Sequence, residues 1–520
     1  MRLTIAHTLL HAARNWGDRP AVQVMDESPV LYRELYTEAV KIANKLNFDA
    51  TNGKHIGILL PNTSRWISAL YGTALSGKIG VLLNPRLTMG ELLYQIQHSN
   101  TKLVITGPIH GKDSSVFVRE LLRSVPNLRI VWVGGHAPAG TIPFEAWIEH
   151  DHDKVFFDPT LLPSENDTAV LIYTSGTTSL PKGVMLSHQS IVRNAYIVGR
   201  RFGLTSNDRV FSAGPFFHSG GLTMHVIMSA LYGLPVYSVS HFDPDIVLDC
   251  IQGYQCTIYN GIETLFLRLL DSPRFNANRV SSVRTGWATG TPAIIRKIAG
   301  EVGMRGIIGV YGITEASPNV TISDWEDSEE HRYDTVGKPH PWSVVATWDP
   351  ERRSLTPPGE VGELVVRGYS VMQGYYNQPK ETSEALEDGW LHTGDLGRIR
   401  ADGYVEFAGR LKDIVRVGGE NVSCLEVENV IYQLEGVELA SVLPLEDDVY
   451  GQVPVAVVKP AQDKMLSKEA ILDFLRCHLA SYKIPKEVVF MDNIPMTESG
   501  KVQKGRLRQL IHAMTGDQKI

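Results

Sequence analysis

The sequence is poor in cysteine: Cys250, Cys256, Cys424 and Cys477 are the only four in 520 residues. None forms a C-x-x-C pair, and none stands at zinc-ligand spacing from a histidine. A disulfide-stapled scaffold and a structural zinc site are therefore not expected. So few thiols suit a reducing, cytoplasmic setting. No run approaches the ~20 apolar residues that a membrane span needs, which argues against integral membrane association. The opening stretch MRLTIAHTLLHAARNWGDRPAV has its apolar run broken by His7, His11 and Arg14, so it reads as an amphipathic helix and not as a signal peptide. A basic excess is missing too. Lys plus Arg is 50 and Asp plus Glu is 57, so the net charge of −7 gives no field to attract nucleic acid or an anionic surface. Internal repeats and low-complexity tracts are absent, which removes solenoids and linker-like chains.

What remains is globular material: 43% hydrophobic residues, enough for large cores, over a length that suggests at least two domains. From residue 1 to about Gly409 short apolar runs alternate with helical periods. HIGILL (55–60), IGVLL (79–83), LVIT (103–106), IVWV (130–133) and AVLIY (169–173) read as strands. Residues 31–46 and 64–75 carry helical periodicity. Alternation of this kind predicts an α/β unit with largely parallel sheets. Beyond about Gly409 the texture changes. Helices near 425–434 and 467–480 and strands near 438–443 and 453–458 predict a small α+β unit with a basic end.

The most informative stretch is YTSGTTSLPKG (173–183), directly after the strand AVLIY. Thr174, Ser175, Thr177, Thr178 and Ser179 crowd five hydroxyls around Gly176, and Lys182 adds a cation. Hydroxyls, free backbone N–H groups and one ammonium in a short turn suit a polyphosphate. The spacing is not that of a Walker A loop.

The segment resembles the phosphate-binding loop of the adenylate-forming superfamily, which includes acyl- and aryl-CoA synthetases. Four further segments, in the family's order, carry the same resemblance. YGITEASP (311–318) looks like its Y-G-x-T-E segment and GWLHTGDLG (389–397) like its T-G-D segment. GRLKDIVRVGGENVSCLEVE (409–428) looks like its hinge and ESGKVQKGRLR (498–508) like its terminal lysine loop. Taken singly, the charged residues in these segments read equally well as solvated surface groups; as an ordered set they do not.

The resemblance implies a fold and a reaction. The fold is a large N-terminal α/β domain with several sheets over 1–411. A small mobile C-terminal α+β domain over 412–520 follows a hinge at Lys412. The reaction is ATP-dependent activation of a carboxylic acid to an acyl-adenylate, then thioester formation with coenzyme A. Loading of a carrier-protein phosphopantetheine is the neighbouring alternative, and a nucleotide-binding pseudo-enzyme is a remote one. The implied cofactors are ATP, Mg²⁺ and coenzyme A, in a monomer or homodimer that has no nucleic-acid partner.

The resemblance also assigns roles. Residues 174–178 with Lys182 would hold the β- and γ-phosphates. Glu315 would hold Mg²⁺, Thr314 the α-phosphate, and Tyr311 with Gly312 the adenine side. Asp395 and Arg410 would fix the ribose, and Lys501 would bridge the carboxylate and the α-phosphate as they react. Arg416, Gly418, Gly419 and Glu420 would face coenzyme A, although Gly418-Gly419 reads equally as a plain turn. His218 in FFHSGG (216–221) would gate the acyl pocket, or serve as a core histidine. Gly286, Trp287 and Ala288 in TGWATG (285–290) would line that pocket, with Trp287 where relatives have glycine, so a shortened cavity is expected. Glu263 stands where the family has proline; it would face either the pocket or solvent.

Overall fold

The computed structural model describes the chain except for residues 1, 26, 49, 150–161, 175–179, 418–419, 448, 462–463, 497–501 and 516–520. Among the described residues the strands form five sheets. The expected alternation is present. The helix Ser64–Leu75 and the strand Leu103–Thr106 have the expected bounds, and the helix Tyr32–Phe48 differs by one or two residues at each end. The N-terminal stretch is the helix Ile5–Trp16, with Ile5, Leu9 and Ala12 buried and Thr4 accepting from the His7 N–H at its start.

Two large sheets make the body. The first runs Gly374–Tyr375, Lys182–Ser187, Thr168–Thr174, Ile79–Leu82, His55–Leu59, Leu103–Thr106, Arg129–Trp132, Ile142–Pro143. From Thr168–Thr174 onward its pairs are parallel. The second runs Gly306–Ile308, Thr285–Thr289, Ile258–Ile262, Val210–Ser212, Val236–Ser238, Pro20–Val24, Val30–Leu31, and is parallel except at its last pair. Parallel strands covered on both faces read as continuous apolar runs, which is why HIGILL and LVIT were legible. One core lies between these sheets and another behind the second, so successive side chains of a strand such as Ile258–Ile262 enter different cores: Ile258 one, Tyr259 the other.

A six-stranded antiparallel sheet follows, with Trp390–Ile399 paired to Gly362–Gly368 on one side and to Val405–Arg410 on the other. The turn Leu411–Asp413 then leads into a separate five-stranded sheet of Glu420–Ser423, Ile414–Val417, Gly451–Pro460, Val437–Asp447 and Glu487–Phe490. The helices Cys424–Ile431 and Lys468–His478 share one core with it, and Leu507 and Ile511 of Lys504–Thr515 fill another. The chain thus has the α/β body and the small α+β unit that the sequence predicts. Among the described residues no helix is long and apolar enough to cross a membrane.

Candidate active site

Thr174 and Lys182 are cross-strand partners at the ends of Thr168–Thr174 and Lys182–Ser187. The pair closes the base of the Ser/Thr/Gly segment. Ser175, Gly176, Thr177 and Thr178 lie outside the described residues. The Lys182 ammonium stands 4.8 Å from the centroid of the Tyr375 ring. The Tyr375 hydroxyl donates to Glu315 Oε1 at 3.0 Å. Tyr375 reaches this position because Gly374–Tyr375 pairs with Lys182–Ser187, opposite Val184. Burial, and after it the Glu315 carboxylate, holds the phenol pKa above its usual value, so Tyr375 remains the donor.

Glu315 sits on a short 3₁₀ turn, Thr314–Ala316. Gly312 sets up that turn: a Cβ there would lie 2.1 Å from the Pro318 carbonyl oxygen and 2.2 Å from the Asn319 Cα. Only glycine permits so close an approach. Thr314 Oγ1 lies 3.5 Å from Ser219 Oγ, which ties the turn to the FFHSGG segment.

Tyr311, three residues before Thr314, donates from its hydroxyl to Asp395 Oδ2 at 3.0 Å. Asp395 Oδ1 meets Arg410 Nε at 3.0 Å. Asp395 and Arg410 are opposite one another in the antiparallel ladder, so register alone brings this acid and base together. Asp395 is only 3% exposed. Glu363 braces its loop by accepting the Gly394 N–H at 2.8 Å and pairing with His392 at 2.8 Å. Tyr311 stacks on Phe407 at 5.7 Å. Its phenol is held well above the usual range by burial and then by Asp395. Two clusters result, Lys182–Tyr375–Glu315 and Tyr311–Asp395–Arg410, joined through residues 311–315. The first offers a cation suited to a phosphate and a carboxylate suited to a cation; the second offers fixed acceptors and donors suited to hydroxyls.

On the acyl side, His218 is exposed and precedes the short helix Ser219–Gly221, its ring 5.1 Å from that of Phe217. The three residues expected to line a pocket together separate by strand alternation. Trp287 joins the core that holds Phe216, Phe217, Met224 and Val310. Ala288 enters the other core, and a Cβ on Gly286 would collide at 1.9 Å with the Tyr259 carbonyl oxygen. Of the three, only Trp287 belongs to the core that includes Phe217, the neighbour of His218.

Lys412 is exposed within the turn Leu411–Asp413, between the two bodies. Arg416 and Glu420 are exposed on the hairpin of Ile414–Val417 and Glu420–Ser423, in which Val417 pairs with Glu420. The tip, Gly418 and Gly419, lies outside the described residues, as does Lys501. Lys504 bonds to Glu428 at 2.9 Å and lies 3.6 Å from Asp413, which anchors the C-terminal helix beside the turn. Burial alone would lower the Lys504 pKa, but Glu428 and Asp413 outweigh it and hold the ammonium above its ordinary value.

Glu263 is not turned fully to solvent. It is half-buried at the seam between the bodies, near Glu428, and Tyr432 of the small unit packs against the adjoining core. Burial, and secondarily Glu428, pushes the Glu263 carboxyl up to about 7 from an ordinary 4.5. Folding therefore favours its protonated form. The stabilisation is complete below the ordinary value and is lost as pH rises through about 7. Glu263→Gln is expected to raise stability by on the order of 2 kcal/mol at about pH 8 and to change little at about pH 4.5. Urea unfolding at the two pH values checks this. An equal effect at both would mean that Glu263 is solvated and ionised throughout.

Sequence reading missed Tyr375, Phe407, Glu363 and Glu428. Tyr375 lies in QGYYNQP (373–379), where an aromatic among polar residues carries no spacing signal. Glu363 acts only through a ladder partner. Glu428 meets the Val442 N–H and Lys504 only through the fold of the small unit.

The α/β body, the small α+β unit and the two joined polar clusters are what the comparisons with known proteins bear on. The AMP-binding enzyme family model matches residues 9–376, and the AMP-binding enzyme C-terminal domain matches 426–501. The feruloyl-CoA synthase of Amycolatopsis sp is 34% identical, covering 92% of this chain and 93% of its own. The putative acyl-CoA synthetase YngI of Bacillus subtilis (strain 168) is 31% identical, covering 97% and 96%. The ATP-bound structure of MatB from Rhodopseudomonas palustris aligns with a TM-score of 0.89 at 26% identity, covering 99% and 100%. The chain belongs to the AMP-binding enzyme family, within the adenylate-forming superfamily. It is an AMP-forming acid–thiol ligase, which activates a carboxylic acid with ATP and passes the acyl group to coenzyme A. The relatives' names do not favour the carrier-protein alternative.

Proposed function

We propose that the enzyme activates a compact carboxylic acid, in a reaction divided among the residues as follows. Thr174 and Lys182, with residues 175–178, hold the β- and γ-phosphates. Thr314 contacts the α-phosphate, Tyr311 and Gly312 line the adenine side, and Asp395 with Arg410 fixes the ribose. His218 gates the acid, and Lys501 joins carboxylate to α-phosphate during adenylation. The observation that carries this reading is the Tyr375 hydroxyl bond to Glu315 beneath the Lys182 ammonium. It links two motifs 133 positions apart (315 − 182) into one phosphate-facing group.

Glu315 suits Mg²⁺ in kind, because a hard cation of this size commonly takes one or two carboxylates plus substrate phosphates. Among the described residues no group of three or more His, Cys, Asp or Glu forms a cage, which fits a metal carried largely by the triphosphate. When bound, the ion would neutralise phosphate charge. The bodies divide as 1–411 and 412–520 with the hinge at Lys412; the change of sheet across Leu411–Asp413 supports that boundary. Rotation about it would exchange Lys501 for the face bearing Arg416, Gly418, Gly419 and Glu420, so that one site runs two incompatible steps. A monomer or homodimer in the cytoplasm is the proposed setting, supported by four free cysteines.

An ATP–pyrophosphate exchange screen over short aliphatic, medium aliphatic and compact aryl acids tests the reading. With long-chain acids included in the panel, exchange confined to compact acids is expected, and exchange only with long-chain acids would overturn it. Trp287 sets the limit on size. Trp287→Gly is expected to destabilise by about 3–5 kcal/mol and to shift kcat/KM toward longer acids, by about fourfold per added methylene. The exchange rates of wild type and variant over a homologous series check this. An unaltered size preference in a folded variant would mean that the indole stands away from the acid.

A further inference from the structure

Two neighbouring residues on adjacent strands, on the proposed acyl side, each bury a hydrogen-bond donor. The strands Ile258–Ile262 and Thr285–Thr289 are parallel neighbours, with Gly261 opposite Ala288, so Asn260 lies beside Trp287 near their carboxyl ends. That end of an open α/β sheet is where ligands collect. Asn260 is 0% exposed, in a strand whose other residues on that face are Ile258 and Ile262. Trp287 is 9% exposed and belongs to the same hydrophobic core as Phe216, Phe217, Met224 and Val310.

The orientation of the Asn260 amide follows from its partner. The Trp287 backbone N–H donates to Asn260 Oδ1 at 3.0 Å. A backbone N–H only donates, so the carbonyl end of the amide is held there and the NH₂ end is turned away. Asn260 Nδ2 and the indole Nε1 of Trp287 are both buried, and neither has a partner among the described residues. Buried donors are ordinarily satisfied, and leaving two of them unmet on neighbouring residues is unfavourable. Both groups donate and neither accepts, so the group that completes them is an acceptor. Neither carries charge, so a neutral oxygen matches them better than a second carboxylate, whose desolvation two neutral donors would not offset.

We propose that the acid accepted by this enzyme carries a neutral oxygen acceptor (keto, ether or hydroxyl) remote from its carboxylate, bound by Asn260 Nδ2 and Trp287 Nε1. The inference rests on the reading of this crevice as the acyl site, and it makes Asn260 a specificity-determining residue. A site built to hydrogen-bond a substrate oxygen discriminates strongly against the analogue that lacks it, because its donors are then left unmet.

The test is ATP–pyrophosphate exchange with matched acids of equal skeleton, straight-chain and aryl, each with and without one keto, methoxy or hydroxyl oxygen. In the wild type the best oxygenated acid is expected to exceed its parent in kcat/KM by about 10²-fold. Asn260→Leu removes the amide donor, and Trp287→Phe removes the indole donor while keeping a ring. Each is expected to bring the ratio within each matched pair down by about tenfold or more. A merely structural role would depress both members of a pair alike and leave the ratio where it was. Should Asn260→Leu fail to fold, Trp287→Phe decides by the same ratio. Equal rates within every pair in the wild type, or a ratio retained in folded variants, would overturn this inference and leave acid activation standing. Exchange with no acid at all would overturn both.

Discussion

Lys501→Ala will lose ATP–pyrophosphate exchange by about 10²-fold or more, the scale expected for removal of one preorganised charge from a reacting centre. During adenylation a carboxylate approaches a phosphate of like charge, and in the proposed role the Lys501 ammonium would offset their repulsion. Thioester formation from a supplied acyl-adenylate is expected to suffer far less, because the proposed rotation of the small domain would by then have turned Lys501 away. The split between half-reactions is the informative quantity. Lys504, three residues on, is committed to Glu428 and Asp413, so it is not a substitute for the missing charge. Equal losses in both half-reactions would reduce Lys501 to a structural role.

Lys412→Pro separates the same steps from the other side. Proline fixes φ near −65° and also restricts the residue before it, here Leu411. Both residues lie in the turn that joins the Asp395–Arg410 ladder to the small sheet. If rotation between the half-reactions passes through this turn, the variant keeps exchange and loses thioester formation, by at least about tenfold. Single-turnover assays of each half-reaction check it. Undiminished overall turnover would move the hinge elsewhere.

Much of the body was legible because parallel strands buried on both faces leave continuous apolar runs, as in LVIT and HIGILL, and because the amphipathic period of Ile5–Trp16 is strong. The site was legible as an ordered set of motifs, but its pairings were not. Asp395 and Arg410 are 15 residues apart in sequence (410 − 395), and they meet only because a ladder sets them opposite. Tyr375 reaches Glu315 through a two-residue strand that has no signature of its own. Glu263 was read as facing either a pocket or solvent; it lies at a seam whose other side, with Glu428 and Tyr432, is supplied by the small unit. Trp287, Gly286 and Ala288 were grouped by adjacency, and strand alternation divides them. Asn260 attracted no notice in the sequence, because an isolated asparagine in YNG reads as a turn residue.

The central claim is the reaction itself, and analysis of its products tests that claim most directly. With an acid that supports exchange, ATP and coenzyme A should be consumed to give acyl-CoA, AMP and pyrophosphate in equal amounts, with an acyl-adenylate accumulating when coenzyme A is withheld. Formation of ADP and phosphate in place of AMP and pyrophosphate, or thioester formed only on a carrier protein and never on coenzyme A, would contradict it.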